Sequence, residues 1–319
     1  MKSTMQALVK SGRTLSLRPM PRPVLHHDDV LVHVVAAGLC RTDLYVADGL
    51  IPGPDPLILG HEFAGYVEEV GATVQNVVPG NRVAIMPIIP CRGCGQCRQG
   101  LEATCLERQM LGVDRHGAFA EWVAVPGHVV YPLPDALSFR MGAYMEPIAA
   151  AMAVLKTGIQ PSERGLIYGQ NRIAQLIQRI LHALCYANIE TYPSTNKKQS
   201  ALPANAYDYI IETSASTETL AELIRAVRPL GLIILKSRHY RPAGIHLIDA
   251  VKKELTFRAV NYGSFADAIE LAASGRLDVS DLLGSMHPLA DFEAVFAQAR
   301  RNESQKCFFV FGDDDVRHL

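Results

Sequence analysis

Four cysteines stand close together as Cys91-x2-Cys94-x2-Cys97-x7-Cys105. Four thiolates complete a tetrahedral shell around Zn²⁺ and leave no position open, so this spacing predicts a structural metal site. Unrelated free thiols or an iron–sulfur cluster are the alternatives. The compactness of the run favours zinc, as do the glycines at 93, 95 and 100, which let the backbone turn tightly around an ion. The chain begins Met1-Lys2-Ser3-Thr4-Met5-Gln6, without an apolar signal core, and a cysteine cluster in such a chain points to metal rather than to a disulfide framework. Two further candidates are Cys40, in Ala37-Gly38-Leu39-Cys40-Arg41-Thr42-Asp43, and His61, in Gly60-His61-Glu62. Taken singly, Cys40 reads as a small buried hydrophobe, and His61 as a core histidine bonded to a backbone carbonyl.

Their surroundings add a second reading. The run Gly60-His61-Glu62-Phe63-Ala64-Gly65-Tyr66-Val67-Glu68-Glu69-Val70-Gly71 is followed by Pro79-Gly80-Asn81-Arg82-Val83, the cysteine lobe, Gly117-Ala118-Phe119-Ala120-Glu121-Trp122 and Met145-Glu146-Pro147-Ile148. In this order the segments resemble the zinc-containing medium-chain dehydrogenase/reductase family. The resemblance extends over nearly the whole chain and is strongest up to about residue 150. It leans toward the galactitol-1-phosphate, sorbitol and threonine dehydrogenases. Met86-Pro87-Ile88-Ile89-Pro90-Cys91 and Lys253-Glu254-Leu255-Thr256 look most like the first of these.

The resemblance implies that Cys40, His61 and Glu146 bind a catalytic zinc, with Glu62 a nearby carboxylate that ligates in one state of the cycle. Three protein ligands leave a fourth position for water or substrate. It further implies that Thr42 passes the substrate proton toward solvent, and that Asp43 holds His61 through its other ring nitrogen. Arg41 reads either as a grip on the cofactor pyrophosphate or as a solvated charge. The implied protein holds two Zn²⁺ per subunit and uses NAD or NADP. It interconverts a secondary alcohol of a polyol, sugar or sugar phosphate with the ketone, and forms a homodimer or homotetramer. A phosphorylated substrate requires cations near the zinc, for which Arg115, His116, Arg258 and His287 are the candidates. The competing expectations are a zinc-binding homologue that has lost nucleotide binding, and a zinc lyase or hydrolase that needs no nicotinamide.

The nucleotide signature is altered. A G-x-G-x-x-G turn would supply glycines for a tight turn, for close approach of the pyrophosphate and for helix packing. Here the segment is Gly169-Gln170-Asn171-Arg172-Ile173-Ala174. It keeps the first glycine and has an alanine at the third position, but it places Asn171 where a side chain is expected to occupy phosphate space. No acid ends the next strand, where the sequence runs Tyr192-Pro193-Ser194-Thr195-Asn196-Lys197-Lys198. Glu190 lies too early, and the two lysines read as a 2′-phosphate site favouring NADP or as a solvated turn. Only a short segment joins Tyr192 to the strand at Tyr209, so one strand of the usual nucleotide fold is expected to be missing.

The elements that must hold these residues fall into two kinds. Up to Gly158, β-branched runs such as Val30–Val35, Gly65–Val70 and Arg82–Ile85 alternate with Gly and Pro turns, which suggests an antiparallel barrel-like domain. Beyond it, Gly165–Tyr168, a helix carrying Ile173, Leu176, Ile177, Ile180 and Leu181 on one face, then Ile189–Tyr192, Tyr209–Ile211, a helix over 217–227 and Leu232–Leu235 alternate as in a parallel, doubly wound sheet. The tail reads as helices over 265–273 and 291–300 and a last strand over 307–311. The expected fold is α/β: a GroES-like catalytic domain of residues 1–152 and 264–319, and a shortened Rossmann-type domain of residues 153–263. A formal net charge of −1 over 319 residues gives no electrostatic footprint for nucleic acid or an anionic membrane. A cytoplasmic protein acting on a small molecule is the expectation.

Overall fold

A computed structural model describes residues 3–193, 201–238, 242–301 and 304–311. The chain divides into two compact units, one of Met1–Pro147, Phe265–Ala273 and Ser280–Leu319, the other of Ile148–Ser264 and Ser274–Val279.

The first unit begins with strands β1 (Thr4–Ser11), β2 (Thr14–Pro21) and β3 (Asp29–Gly38), and helix α1 (Arg41–Ala47). It continues through β4 (Leu57–Ile58), β5 (Glu62–Val70), β6 (Arg82–Ile85), β7 (Ile88–Ile89), α2 (Gly95–Arg98), β8 (Gln109–Met110), β9 (Trp122–Pro126), β10 (Val130–Pro132) and α3 (Phe139–Ala143). Helix α4 (Met145–Met152) leads into the second unit, which holds β11 (Gly165–Tyr168), α5 (Arg172–Ala183), β12 (Ile189–Tyr192), β13 (Tyr207–Glu212), α6 (Thr217–Ala226), β14 (Val227–Leu235), α7 (Leu247–Lys252) and β15 (Thr256–Ala259). The chain then returns to the first unit with α8 (Phe265–Ala273), β16 (Leu283–Pro288), α9 (Phe292–Arg301) and β17 (Lys306–Val310).

In the first unit β3 is the hub. It pairs antiparallel with β5, β9 and β17, and its run Val30-Leu31-Val32-His33-Val34-Val35-Ala36-Ala37 is almost wholly buried. A strand packed on both faces reads as a continuous apolar run rather than an alternating one. Phe63, Phe119, Phe296 and Phe309 fill the core around it. The last strand thus returns a distant part of the sequence to the middle of the sheet, with Phe308 opposite Gly38. At the rim, the guanidinium of Arg22 lies 5.1 Å over the ring of Trp122 and is paired with Glu68 and Glu69.

The second unit is a parallel sheet in the order β12-β11-β13-β14-β15. Among the described residues this sheet has five strands, against six in the doubly wound dinucleotide fold. Among the described residues of 193–206 there is neither helix nor strand. Leu202 turns into the core against Tyr168, Tyr207 and Leu223, and its N–H is held by Glu222 at 3.2 Å. Helix α5 starts where Asn171 caps it, and it buries Leu176, Ile177, Ile180 and Leu181, the apolar face that the i, i+3, i+4 pattern marks. Among the described residues no helix is long and apolar enough to cross a membrane.

Candidate metal centres and nucleotide turn

The first centre is assembled where three strands meet a helix start. Cys40 follows β3 at the N-cap of α1, His61 and Glu62 lie at the head of β5, and Lys306 heads β17. One ligand atom each from Cys40, His61 and Glu62 lies within 4.8 Å of the others. His61 and Glu62 are buried, and Cys40 is half-buried.

Asp43 organises this cluster. Fully buried in the first turn of α1, it accepts a hydrogen bond from the Cys40 backbone N–H at 2.8 Å and from the Gly60 N–H at 3.1 Å, and its Oδ1 lies 3.2 Å from His61 Nδ1. That contact fixes the ring and leaves Nε2 buried with no hydrogen-bond partner. Burial pulls the His61 imidazolium down, but Asp43 and Cys40 outweigh it and raise its pKa well above the usual histidine value. Burial pushes the Cys40 thiol up, yet Lys306 and His61 beside it bring it down to about 6. Burial raises Glu62 to about 7 despite the pull of Lys306. A sulfur, an imidazole nitrogen and a carboxylate around an unsatisfied ring nitrogen form a donor set that fits zinc.

Thr42 Oγ1 lies 3.8 Å from Cys40 Sγ. Glu146 is buried in the first turn of α4 and its charge acts on Cys40, but its oxygens do not join the 4.8 Å group. Arg41 is exposed at the start of α1, its guanidinium 5.7 Å over the Tyr45 ring. Lys306 is the residue that the sequence reading missed. Its ammonium lies 2.7 Å from one oxygen of Glu62 and 2.6 Å from the other, with both side chains 1% exposed.

The second centre is the cysteine lobe, where Cys91, Cys94, Cys97 and Cys105 converge. Cys94 Sγ lies 3.5 Å from Cys97 Sγ and 3.8 Å from Cys105 Sγ. A tetrahedron with Zn–S legs of about 2.3 Å has edges of about 3.8 Å, so these separations fit zinc. Backbone N–H groups of Cys97 and Leu106 draw the Cys94 thiol down to about 6, toward the thiolate that a metal needs.

In the second unit, Gly169 has φ +129°, and a Cβ there would lie 2.1 Å from Thr213 Oγ1, so only glycine fits the turn. Asn171 has φ −68°. Its Oδ1 accepts from the Ala174 N–H at 3.0 Å, and its Nδ2 donates to the Thr213 carbonyl at 2.8 Å. The amide replaces a missing glycine with a helix cap and a tie to β13. Gln170 is exposed, and Arg172 and Ile173 are half-buried in the first turn of α5. Glu190 is engaged elsewhere, with Arg164 at 2.7 Å and the Tyr207 hydroxyl at 2.8 Å. The loop Ser194–Lys198 lies outside the described residues. Of the cations considered for a phosphate, His287 is engaged with the Ser285 hydroxyl at 2.7 Å, and His116 Nδ1 accepts the Ile58 N–H at 3.2 Å. Arg115 lies in the loop after β8, and Arg258 on the edge strand β15.

Residues 26–135 match the alcohol dehydrogenase GroES-like domain. A Rhizobium meliloti (strain 1021) protein that carries the assigned name of a D-xylulose reductase is 32% identical, over 92% of this chain and 94% of its own length. A solved chain from Sinorhizobium meliloti 1021, bound to NADP, superposes with a TM-score of 0.87 at 25% identity, covering 97% of this chain and all of its own. Galactitol-1-phosphate dehydrogenase from Escherichia coli shares the fold, with a TM-score of 0.86 at 23% identity over 96% of this chain and 100% of that one. With the cysteine lobe, the Cys40–His61–Glu62 group and the parallel five-stranded sheet in one polypeptide, this chain belongs to the zinc-containing medium-chain dehydrogenase/reductase family.

Proposed function

We propose that the protein interconverts a secondary alcohol of a polyol or sugar with the corresponding ketone, using NAD or NADP. The observation that carries this reading is the Cys40–His61–Glu62 cluster with its buried His61 Nε2, which has no hydrogen-bond partner among the described residues. In this reading Cys40, His61 and Glu146 hold a catalytic zinc, Glu62 stands in reserve, and the four-cysteine lobe holds a structural zinc. Bound zinc supplies Lewis-acid polarisation of the substrate oxygen. Asp43 keeps His61 in the tautomer that presents Nε2, and its grip on the Cys40 and Gly60 amides sets the distance between thiol and ring. Thr42, one residue into α1, offers a hydroxyl to carry the substrate proton outward. A bound nicotinamide would supply the hydride chemistry. Gly169, Gln170, Asn171, Arg172 and Ile173 would form the turn for its pyrophosphate.

NADP is supported by the NADP-bound relative and by the engagement of Glu190 with Arg164, which leaves no acid for a ribose diol at the described end of β12. A homodimer or homotetramer through the sheet is part of this proposal, because β15 is an edge strand with an exposed face. A cytoplasmic location belongs to it as well: seven cysteines without a disulfide among the described residues, four of them gathered for metal, suit a reducing compartment. Assay of zinc-loaded protein with xylitol, sorbitol and galactitol 1-phosphate and both nicotinamides tests the reading. Turnover with one pairing supports it, and none with any pairing refutes it. The five-stranded sheet supports a second reading, a zinc-binding homologue without nucleotide, and calorimetric titration with NADH and NADPH separates the two.

A further inference from the structure

Besides Asp43, which is committed to His61 Nδ1, the metal site has two buried carboxylates within electrostatic reach, Glu62 and Glu146, and room in a tetrahedral shell for one of them beside Cys40, His61 and a substrate oxygen. The nearer one is the wrong one for the proposed ligand set. Glu62 has an oxygen within 4.8 Å of both Cys40 and His61, and Glu146 does not. Yet both Glu62 oxygens face one ammonium, that of Lys306, at 2.7 and 2.6 Å, and the same ammonium donates to the Leu39 carbonyl at 3.2 Å.

We propose that Lys306 selects the ligand: by neutralising Glu62 it withholds that carboxylate from the zinc and leaves the position to Glu146. Lys306 is a positioning residue, and this role rests on the zinc reading given above. The charges close in two neutral groups, a thiolate and the Glu146 carboxylate with the divalent ion, and the Glu62 carboxylate with Lys306. Take away the ammonium, and Glu62 loses the cation that occupies both of its oxygens, so that a divalent ion beside Cys40 and His61 becomes the cation its carboxylate can pair with. The backbone is shaped to keep Glu62 in its place. A Cβ at Gly38 would lie 2.5 Å from Glu62 Oε2 and 3.4 Å from Lys306 Cδ, so β3 carries no side chain where the pair sits. The lysine comes from β17 and the glutamate from β5, on either side of β3, so the ligand choice is written into the pairing of three strands.

The test places cobalt in the Cys40 site, with zinc kept in the cysteine lobe, and reads the visible spectrum together with the rate of cobalt loss to a chelator. In the wild-type background Glu146→Gln should speed cobalt loss by at least about tenfold, and Glu62→Gln by no more than about twofold. With Lys306→Met the ranking should invert. Glu62→Gln then becomes the damaging change, Glu146→Gln loses most of its effect, and the ligand-field bands shift, while Lys306→Arg keeps the wild-type bands. Lys306→Gln, which still fills the space and can donate to Leu39, should invert the ranking in the same direction should the methionine variant fail to fold. An unshifted spectrum and an unchanged carboxylate ranking in both neutral variants would make Lys306 a structural ion pair and overturn the proposal. If Cys40→Ser leaves the cobalt content and spectrum of the wild type unchanged, the zinc reading itself falls, a different result from the first.

Discussion

Asp43 touches three things at once, the Cys40 amide, the Gly60 amide and the His61 ring, and it does so at zero exposure. Asp43→Asn keeps the shape but removes the charge that opposes loss of the ring's Nδ1 proton. Zinc affinity at the Cys40 site should fall about 10- to 100-fold, read by competition with a chromophoric chelator. The Cys40 thiol provides the pH prediction. Its pKa falls from 9.0 to about 6, so its ionisation favours the folded, metal-free protein fully above pH 9, progressively less below, and not at all once pH drops through about 6. Alkylation of Cys40 in metal-free protein, followed by mass spectrometry, should show a midpoint near pH 6, and Lys306→Met should move it upward by removing a stabilising charge. Cys40, His61 and Glu62 were legible because each sits in a short run with a recognisable order. Lys306 was not, since its partner lies on a strand paired elsewhere in the sequence and a lysine at the head of Lys306-Cys307-Phe308-Phe309-Val310 reads as an exposed strand end.

At the scale of elements, α5 depends on one amide. Asn171→Ala removes both the cap and the tie to Thr213, and should cost about 1 kcal/mol in urea unfolding, whereas Asn171→Gly should cost only a few tenths on account of the cap. A replacement of equal cost by both residues would show that the Thr213 bond, not the cap, carries the stability. The apolar spacing of α5, the β-branched run of β3 and the short apolar run of β11 made these elements readable. The side-chain direction of Asn171 was not readable. It depends on the carbonyl of Thr213, which reaches the turn only because β13 pairs with β11. The cysteine lobe behaves as its own small element. It has α2 and a 3₁₀ turn but little apolar interior, so its shape depends on the ion. Cys94→Ser should lower the zinc content by one per chain and open residues 91–105 to limited proteolysis, with the Cys40 site still loaded.

At the scale of the molecule, each unit has its own core, built around β3 in one and around β11, β13 and β14 in the other. Chelation of zinc should therefore raise hydrogen exchange in β3, β5 and the cysteine lobe, and leave the amides of β11 and β13 protected, as read by mass spectrometry after brief labelling. Equal loss of protection in both sheets would show that they unfold as one. The placement of Trp122 has a practical corollary. It is the sole indole of the chain and lies in β9, roofed by the Arg22 cation. Its fluorescence on heating or in denaturant therefore follows the metal-bearing half alone. A fluorescence melt that finishes before the circular-dichroism signal does would be a spectroscopic signature of a partly folded chain whose parallel sheet persists.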